Sequence, residues 1–321
     1  MPQRHLGGSS LPRVRPQLVA SDLDGTLLAS DLLPRIAEAR GVQALLAAAV
    51  RFVVCTGRMF QSTRRVLAEF GVTRGTCVCY QGAFAGDLAT GERIISRPIA
   101  SELAAEVVVH ARALRRHLNV FIGDQLHLEE LDHWARLYME RGGVDCILDE
   151  DLRAAVLVAA PDKILLLTEP EDALTLAPAL AERWRGRLYV AISQPGYIEI
   201  TDPGATKRAA LDDLARRWGV HRERTVACGD SFNDVDMLEW AGFGVAMAEG
   251  PPQVHAAADL VLPRDELGGL FECLASLPRE EDVAAGAGPP GSGGPAGSDG
   301  LQAGGEPGRR GAGAGAVPPD E

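Results

Sequence analysis

The chain has 321 residues, of which 46% are hydrophobic but only 5% aromatic, so it has room for about two domains whose cores consist mainly of aliphatic side chains. Its net charge of −12 argues against the basic patches that nucleic-acid and membrane-surface proteins use, and we expect neither kind of partner. The six cysteines fit no disulfide or zinc spacing, which favours a reducing, cytoplasmic compartment.

The predicted elements begin after a leader, residues 1–16, which is rich in Pro, Gly and Arg, lacks the apolar segment of a secretory signal and is expected to be disordered. Three buried strands are predicted next, at Leu18–Ala20, Arg51–Cys55 and Thr76–Tyr80. Predicted helices separate them, from Pro34 to about Ala49 and from Met59 to Phe70. Strands that alternate with helices predict a parallel, doubly wound α/β sheet.

The next segment, Phe84–Thr201, has a less regular pattern. It begins with a possible hairpin that turns at Gly91, followed by a helix with Ser101 as its predicted N-cap. The remaining predicted elements are strands near Val120–Ile122 and Leu126–Leu128, a helix over Glu129–Arg141, a strand over Lys163–Leu167, a helix over Glu171–Trp184, and strands over Leu188–Ser193 and Tyr197–Thr201. We therefore predict that residues 84–201 form an α+β domain inserted into a first domain made of residues 17–83 and 202–278.

The first domain resumes with a predicted helix from Thr206 to Trp218. The other elements predicted there are the strands Thr225–Cys228, Phe243–Met247 and Asp259–Leu262, a helix that reaches Ala241, and a helix over Glu266–Leu277. Residues 279–321 are mostly Gly, Pro, Ala and Ser, which cannot bury enough apolar surface to order themselves, so a disordered tail is predicted. No apolar run approaches the ~20 residues that a membrane-spanning helix needs.

Two carboxylates, Asp22 and Asp24, follow the first predicted strand and precede Gly25-Thr26. Ligands of open α/β sheets bind at the carboxyl ends of strands, and alternate residues of an extended strand point to the same side, so both carboxylates can face one site. Two carboxylates so close together repel each other, which favours a bound cation or a proton shared between them. The alternative is an Asp-Gly turn with solvated carboxylates.

Two further groups lie where a strand ends or a helix begins. Thr56-Gly57-Arg58 follows the second strand, and the Thr56 hydroxyl can donate to a phosphoryl oxygen, although a helix N-cap has the same pattern. Lys207 lies at a predicted helix start, where a cation opposes the helix dipole. Because this position is unfavourable for the stability of the helix, it suggests that Lys207 has a function, namely to offset the charge of a nucleophile and hold phosphate. The alternative is a solvated lysine.

An acidic cluster follows the strand Thr225–Cys228 in the segment Gly229-Asp230-Ser231-Phe232-Asn233-Asp234. Oxygen ligands of this type suit Mg²⁺, although an acidic helix N-terminus is the alternative. Phosphoryl transfer needs a nucleophile, donors for the phosphoryl oxygens, a metal and a proton source. The four motifs together offer all of these.

The four motifs, in this order, resemble those of the haloacid dehalogenase (HAD) superfamily of phosphotransferases, and Leu18–Leu277 is similar in particular to its Cof-type branch (subfamily IIB). The resemblance implies a Rossmann-like core with a cap inserted after the third strand. It implies that Asp22 is the nucleophile and Asp24 the acid/base. The other implied roles are phosphate binding by Thr56, Gly57 and Lys207, metal ligation by Asp22, the Asp24 main-chain carbonyl and Asp230, and support or completion of the metal shell by Asn233 and Asp234.

The same resemblance implies a Mg²⁺-dependent phosphatase that acts on small phosphorylated metabolites, sugar phosphates first, through a phospho-aspartyl intermediate. We expect a monomer or a small homo-oligomer. One alternative is a phosphomutase of the same superfamily, which would retain phosphate in its product. A catalytically silent metabolite-binding scaffold is another, but it predicts the loss of a motif, and none is lost.

Two departures from the branch pattern bear on the substrate. Gln81-Gly82-Ala83 stands where Asn-Gly-Ala is usual, and Glu249-Gly250 stands where Asn-Ala is usual. Both segments lie near the substrate entrance in the family. The departures therefore put the substrate in question and leave the reaction unchanged.

Overall fold

A computed structural model describes residues 11–29 and 35–286 of the chain. The strands are β1 (Leu18–Ser21), β2 (Arg51–Cys55), β3 (Thr76–Cys79), β4 (Phe84–Asp87), β5 (Arg93–Ser96), β6 (His117–Ile122), β7 (Gln125–Leu128), β8 (Cys146–Leu148), β9 (Lys163–Leu167), β10 (Tyr189–Gln194), β11 (Tyr197–Thr201), β12 (Thr225–Gly229), β13 (Phe243–Met247) and β14 (Leu260–Leu262). The helices are α1 (Ile36–Ala47), α2 (Phe60–Glu69), α3 (Ser101–Ala113), α4 (His133–Gly142), α5 (Leu152–Val158), α6 (Pro170–Arg183), α7 (Lys207–Arg217), α8 (Val235–Trp240), α9 (Pro252–Ala256), α10 (Leu267–Ser276) and α11 (Glu280–Gly286).

The first sheet has eight strands in the order β14-β13-β12-β1-β2-β3-β4-β5. The six strands from β14 to β3 are parallel, and β1 lies between β12 and β2, with Val19 opposite both Val226 and Phe52. All four residues of β1 are buried, as expected for a strand that is covered on both faces. The predicted doubly wound α/β sheet is confirmed.

Helices cover both faces of this sheet. Side chains of α1, α2 and α10 form one core with one face of the strands, and side chains of α7 and α8 form a second core on the other face. The second core is mostly aliphatic, whereas most of the phenylalanines of the chain are buried in the first core. Among the described helices, none has the length and apolar character to cross a membrane.

A second sheet is built within residues 101–201, hereafter the insert. Its strand order is β10-β11-β9-β6-β7-β8, and all pairs are antiparallel except β7 with β8. Alternate residues face opposite sides: Ile164 of β9 and Ile198 of β11 pack with α3, α5 and α6. Lys163 and Glu199 consequently lie on the other face of the sheet, toward the first domain.

The boundary of the insert differs from the prediction, which started it at Phe84. β4 and β5 form the predicted hairpin with its turn at Gly91, but β4 pairs with β3, so the hairpin extends the first sheet. The physical reason is that β3 would otherwise end the sheet with unpaired backbone groups. Ser101 is the first helical residue of α3, and Ala100 is its N-cap.

The predicted disordered leader and tail are also too long. Arg15 donates from its backbone N–H to the Pro278 carbonyl at 2.8 Å and from its guanidinium to the Leu277 carbonyl at 2.9 Å. Helix α11 follows, and its Glu280 forms an ion pair with Arg224. These contacts order residues 11–16 and 280–286, whereas residues 1–10 and 287–321, together with the predicted helix start at Pro34, lie outside the described residues.

The turn between β6 and β7 attaches the insert to the first domain. The Asp124 carboxylate accepts the backbone N–H groups of Phe60 at 2.8 Å and Gln61 at 2.9 Å, and also the Tyr80 hydroxyl at 2.7 Å. Met59, the N-cap of α2, makes no side-chain capping bond. An acid from the insert therefore caps the N-terminus of a helix in the first domain.

We expect Asp124→Ala to lower the free energy of unfolding by about 1–3 kcal/mol, because it removes a helix cap and leaves the Tyr80 hydroxyl without its acceptor. Urea unfolding followed by circular dichroism measures this change. Asp145→Ala, at an exposed position of the same insert, is the control and should leave the midpoint unchanged. Equal midpoints for the Asp124 variant and the wild-type protein would contradict the proposed capping contact.

Candidate active site

A buried lysine lies at the centre of the predicted site. Lys207 Nζ donates to Asp22 Oδ1 at 2.5 Å and to Asp234 Oδ1 at 2.6 Å, and the lysine is only 1% exposed. Burial disfavours the ammonium, but the two carboxylates outweigh it and raise the pKa of Lys207 above its ordinary value. The lysine is thus held in its charged form between two anions.

The topology of the sheet explains why these residues meet. Asp22 follows β1, and Asp230 follows β12, the parallel neighbour of β1; the Asp22 N–H donates to the Cys228 carbonyl at 2.9 Å. Lys207 is the first residue of α7, which begins with Thr206 as its N-cap. The carboxyl ends of two central strands and one helix start therefore converge, as predicted from the sequence.

Three carboxylates form the acidic cluster: Asp22, Asp230 and Asp234 each offer an oxygen, and these oxygens lie within 4.8 Å of one another. Burial raises the pKa of Asp22 well above its usual range and is also the main cause that raises the pKa of Asp230 to about 6. One ammonium against three carboxylates leaves an excess of negative charge. Oxygen ligands with excess negative charge, of which Asp22 and Asp234 are buried and Asp230 is half-buried, fit a divalent cation such as Mg²⁺.

Asp234 has a different environment from the other two acids. Its Oδ1 accepts from Lys207, and its Oδ2 accepts the backbone N–H groups of Asp230 at 3.1 Å and Ser231 at 2.9 Å. Both oxygens of this carboxylate are therefore engaged. Asp234 orients Lys207 and the loop after β12, while its support of a metal shell stays a prediction.

The Gly25-Thr26 pair holds Asp230 from the side of β1. The Thr26 hydroxyl donates to Asp230 Oδ1 at 2.6 Å. Gly25 has φ +89°, and a side chain at this position would collide with the Asp230 carboxylate. Thr26 was not among the predicted site residues, although its position in the Asp-Gly-Thr motif was the signal that could have identified it.

Asp24 lies in the same cavity as Asp22 but has its own partner. Its carboxylate accepts two hydrogen bonds from the Arg58 guanidinium, at 2.5 and 2.7 Å. The Asp24 side chain is thus directed at Arg58 and is not part of the three-carboxylate cluster. Metal ligation by the Asp24 main-chain carbonyl stays a prediction, and the partnership with Arg58 was not predicted.

Thr56 and Gly57 line the cavity beside Asp22. Thr56 is buried, and its hydroxyl oxygen accepts the Arg58 N–H at 3.2 Å, which leaves the hydroxyl proton available to a ligand. The Gly57 carbonyl accepts from Lys163 Nζ at 2.8 Å, and a β-carbon at Gly57 would lie 2.5 Å from Gln81 Nε2. This turn is therefore fixed by contacts with the insert as well as by β2.

The insert closes the site from above. A cavity of about 610 Å³ lies between the two domains, with the predicted site residues on one side. The insert contributes the opposite side with Tyr138, Arg141, Lys163, Tyr197 and Glu199. Sequence analysis missed these five residues, although the position of Glu199 between two isoleucines in β11 is a signal for one of them. Gln81 was noted only as a departure from the branch pattern near the substrate entrance.

We expect Lys207→Met to destabilise the metal-free protein by about 3–5 kcal/mol, because it leaves two buried carboxylates without their cation. Urea unfolding in the presence of a chelator measures this loss. Arg216→Met, on the same helix and in an exposed ion pair with Asp212, is the matched control and should cause no measurable change. A Lys207 variant as stable as the control would show that the ion pairs do not support the fold.

Residues 19–274 match the family model described as haloacid dehalogenase-like hydrolase. Among curated proteins, the chain is 26% identical over 268 residues to YxeH of Bacillus subtilis (strain 168), which covers 81% of this chain and 98% of that protein. It is 27% identical over 271 residues to the 5-amino-6-(5-phospho-D-ribitylamino)uracil phosphatase YitU of the same strain, covering 81% and 97% of the two chains.

Solved structures have the same fold. The crystal structure of TM0651 from Thermotoga maritima has a TM-score of 0.73 and 29% sequence identity, and the match covers 81% of this chain and 96% of that one. The matched part corresponds to both domains, because it exceeds the length of either one alone.

Proposed function

Since the chain belongs to the haloacid dehalogenase-like hydrolase family, we propose that it is a Mg²⁺-dependent phosphatase of small phosphorylated metabolites, sugar phosphates first. The observation that carries the proposal is the buried Lys207 between Asp22 and Asp234, beside Asp230 and at the base of the cavity that the insert closes. The match to YitU, whose name describes a phosphatase of a phosphorylated ribityl compound, supports a phosphate ester as substrate.

The size of the cavity supports a small substrate. Its volume of about 610 Å³ falls within the range of about 300–1,000 Å³ that small-molecule sites have. The net charge of −12 supports the further proposal that neither nucleic acid nor a membrane is a partner. We propose a cytoplasmic monomer or small homo-oligomer.

Mg²⁺ would be held by Asp22, Asp230 and the Asp24 main-chain carbonyl, with Asn233 and Asp234 supporting the shell. When bound, the ion would supply positive charge to the phosphoryl oxygens and to the carboxylates around them. The residues fit this role because the cluster consists of oxygen ligands with excess negative charge.

The remaining steps use side chains of the protein. Asp22 attacks phosphorus in line, which forms a phospho-aspartyl group and breaks the bond to the leaving oxygen. The Thr56 hydroxyl, the Gly57 backbone and the Lys207 ammonium hold the phosphoryl oxygens. Asp24 gives a proton to the leaving oxygen and then takes one from the water that hydrolyses the phospho-aspartyl group. Because Asp24 is paired with Arg58, this pair has to open for the transfer.

The direct test of the function is free phosphate release from a panel of phosphorylated metabolites, with Mg²⁺ and with chelator. The proposal expects release that requires Mg²⁺. Retention of phosphate in a rearranged product would indicate a phosphomutase instead, and no reaction with any ester would indicate a binding protein.

We expect Asp22→Asn to abolish turnover while the protein stays folded, because the amide cannot attack phosphorus. Phosphate release measures turnover, and circular dichroism measures folding. Asp265→Asn makes the same chemical change at an exposed position far along the chain and should retain activity. A folded Asp22 variant with turnover near that of the wild-type protein would refute the assignment of the nucleophile.

The role of Asp24 predicts a dependence on the leaving group. A sugar alkoxide needs a proton as the P–O bond breaks, whereas nitrophenolate needs little help, and a positioned general acid contributes about 10²–10⁴-fold. Asp24→Asn should therefore slow phosphoenzyme formation from an alkyl phosphate by that factor, and far less from p-nitrophenyl phosphate. Rapid-quench kinetics measures both rates.

The same variant also lacks the base for hydrolysis. With p-nitrophenyl phosphate it should therefore accumulate phosphoenzyme and show a burst followed by slow turnover. Equal slowing for the two leaving groups, with no accumulated phosphoenzyme, would exclude Asp24 as the acid/base.

A further inference from the structure

Four polar side chains, three of them buried and the fourth, Asn233, half-buried, connect the insert with the acidic loop after β12 and are hereafter called the polar bridge. Lys163 Nζ donates to Glu199 Oε1 at 3.0 Å, Gln81 Nε2 donates to Glu199 Oε2 at 2.9 Å, and Asn233 Nδ2 donates to Gln81 Oε1 at 2.9 Å. Lys163 and Glu199 belong to the insert, whereas Gln81 and Asn233 belong to the first domain. The bridge therefore crosses the interface between the two domains.

The chemistry of each partner fixes the direction of every hydrogen bond. The Glu199 carboxylate, paired with the Lys163 ammonium, only accepts, so Gln81 has to turn its NH₂ group toward it. The carbonyl oxygen of Gln81 then faces Asn233, which has to turn its own NH₂ group toward Gln81. An ion pair in the insert thereby determines the orientation of an amide two side chains away.

In this orientation, the Asn233 amide oxygen has no hydrogen-bond donor among the described residues, and this oxygen, Oδ1, is buried. An unpaired buried oxygen is costly, and a bound ion or an ordered water is one way in which a protein satisfies such an atom. Asn233 lines the same cavity as Asp22 and Asp230 and directly precedes Asp234.

The backbone conformation of Gln81 also indicates that its side chain is held in a specific position. Tyr80 has φ +52° and Gln81 has φ +60°, a conformation that residues other than glycine rarely adopt and that is concentrated at functional sites. The Gln81 N–H donates to the Thr56 carbonyl at 3.1 Å, which holds this conformation in place. The Gln81 side chain also fills the space beside Gly57, where no β-carbon fits.

We propose that Lys163, Glu199 and Gln81 are positioning residues that orient the Asn233 amide so that its Oδ1 faces the divalent-metal shell, as a ligand or as the acceptor of a metal-bound water. The inference rests on the proposed function in that it assigns the metal to the cluster of Asp22, Asp230 and Asp234. The metal site is then complete only while the Lys163–Glu199 ion pair of the insert contacts Gln81 of the first domain.

The test is the affinity of the metal-free protein for Mn²⁺, measured by electron paramagnetic resonance without substrate. Glu199→Gln gives Gln81 a partner that can also donate a hydrogen bond, so the side-chain amides of Gln81 and Asn233 can rotate by about 180° and exchange their oxygen and nitrogen positions. Gln81→Met removes the central link without a change of charge. Each variant should weaken Mn²⁺ binding about tenfold, the lower end of the effect of a lost outer-shell partner.

The double variant tests whether the bridge acts as a unit. Both substitutions interrupt the same series of hydrogen bonds, so together they should weaken Mn²⁺ binding no more than either one alone. Losses that multiply would show two independent effects and would overturn the proposed orientation mechanism.

Tyr80→Phe is the matched control. It removes a hydrogen bond between the first domain and the insert, from Tyr80 to Asp124, and leaves the polar bridge untouched. Its Mn²⁺ affinity should equal that of the wild-type protein. An equal loss in this control would assign the effect to general loosening of the insert and overturn the proposal.

Circular dichroism establishes that each variant is folded, and Gln81→Met, which buries no charge, decides the question if Glu199→Gln does not fold. Wild-type affinity in both single variants would overturn the inference. A wild-type protein that binds no Mn²⁺ would overturn both the inference and the metal dependence of the proposed function. Mn²⁺ binding without phosphate release would overturn the phosphatase alone, because the affinity measurement requires no turnover.

Discussion

The site depends on one buried cation. Lys207 lies between Asp22 and Asp234, and without its charge neither carboxylate could remain buried at the ends of the central strands. The residues of the pair Asp22–Lys207 are 185 positions apart in the sequence, and the whole insert lies between them. The chain therefore has to complete the insert and return to the first sheet before these two charges can meet.

Much of the first domain was predictable because its signals are local. Arg51–Cys55 and Phe243–Met247 are apolar strands buried on both faces, and their predicted bounds agree with those observed. Polar residues directly after such strands marked the site, since parallel strands place their carboxyl ends at one edge. The positions of Asp22 and Asp230 follow from this rule, whereas Lys207 was marked by its place at a helix start.

The remaining features depend on contacts between distant segments, which periodicity does not specify. Lys163 and Glu199 share a face because of the register between β9 and β11, and Gln81 reaches them from the other domain; neither contact is specified by a local pattern. Likewise, the hairpin of β4 and β5 was visible in the sequence, whereas the sheet that it joins depends on which edge is unpaired. The partnership of Arg58 with Asp24 is a further case of this kind.

The contact of Asp124 with α2 has a consequence for how such proteins can be recombined. A domain grafted in place of the insert would leave the first amides of α2 bare unless it offered an acid at the tip of its own first hairpin. The exchange of inserted domains between related first domains is thus limited by a single carboxylate as well as by linker length. A first domain without its insert would need a helix-capping residue of its own, at Met59 or nearby, to stabilise the start of α2.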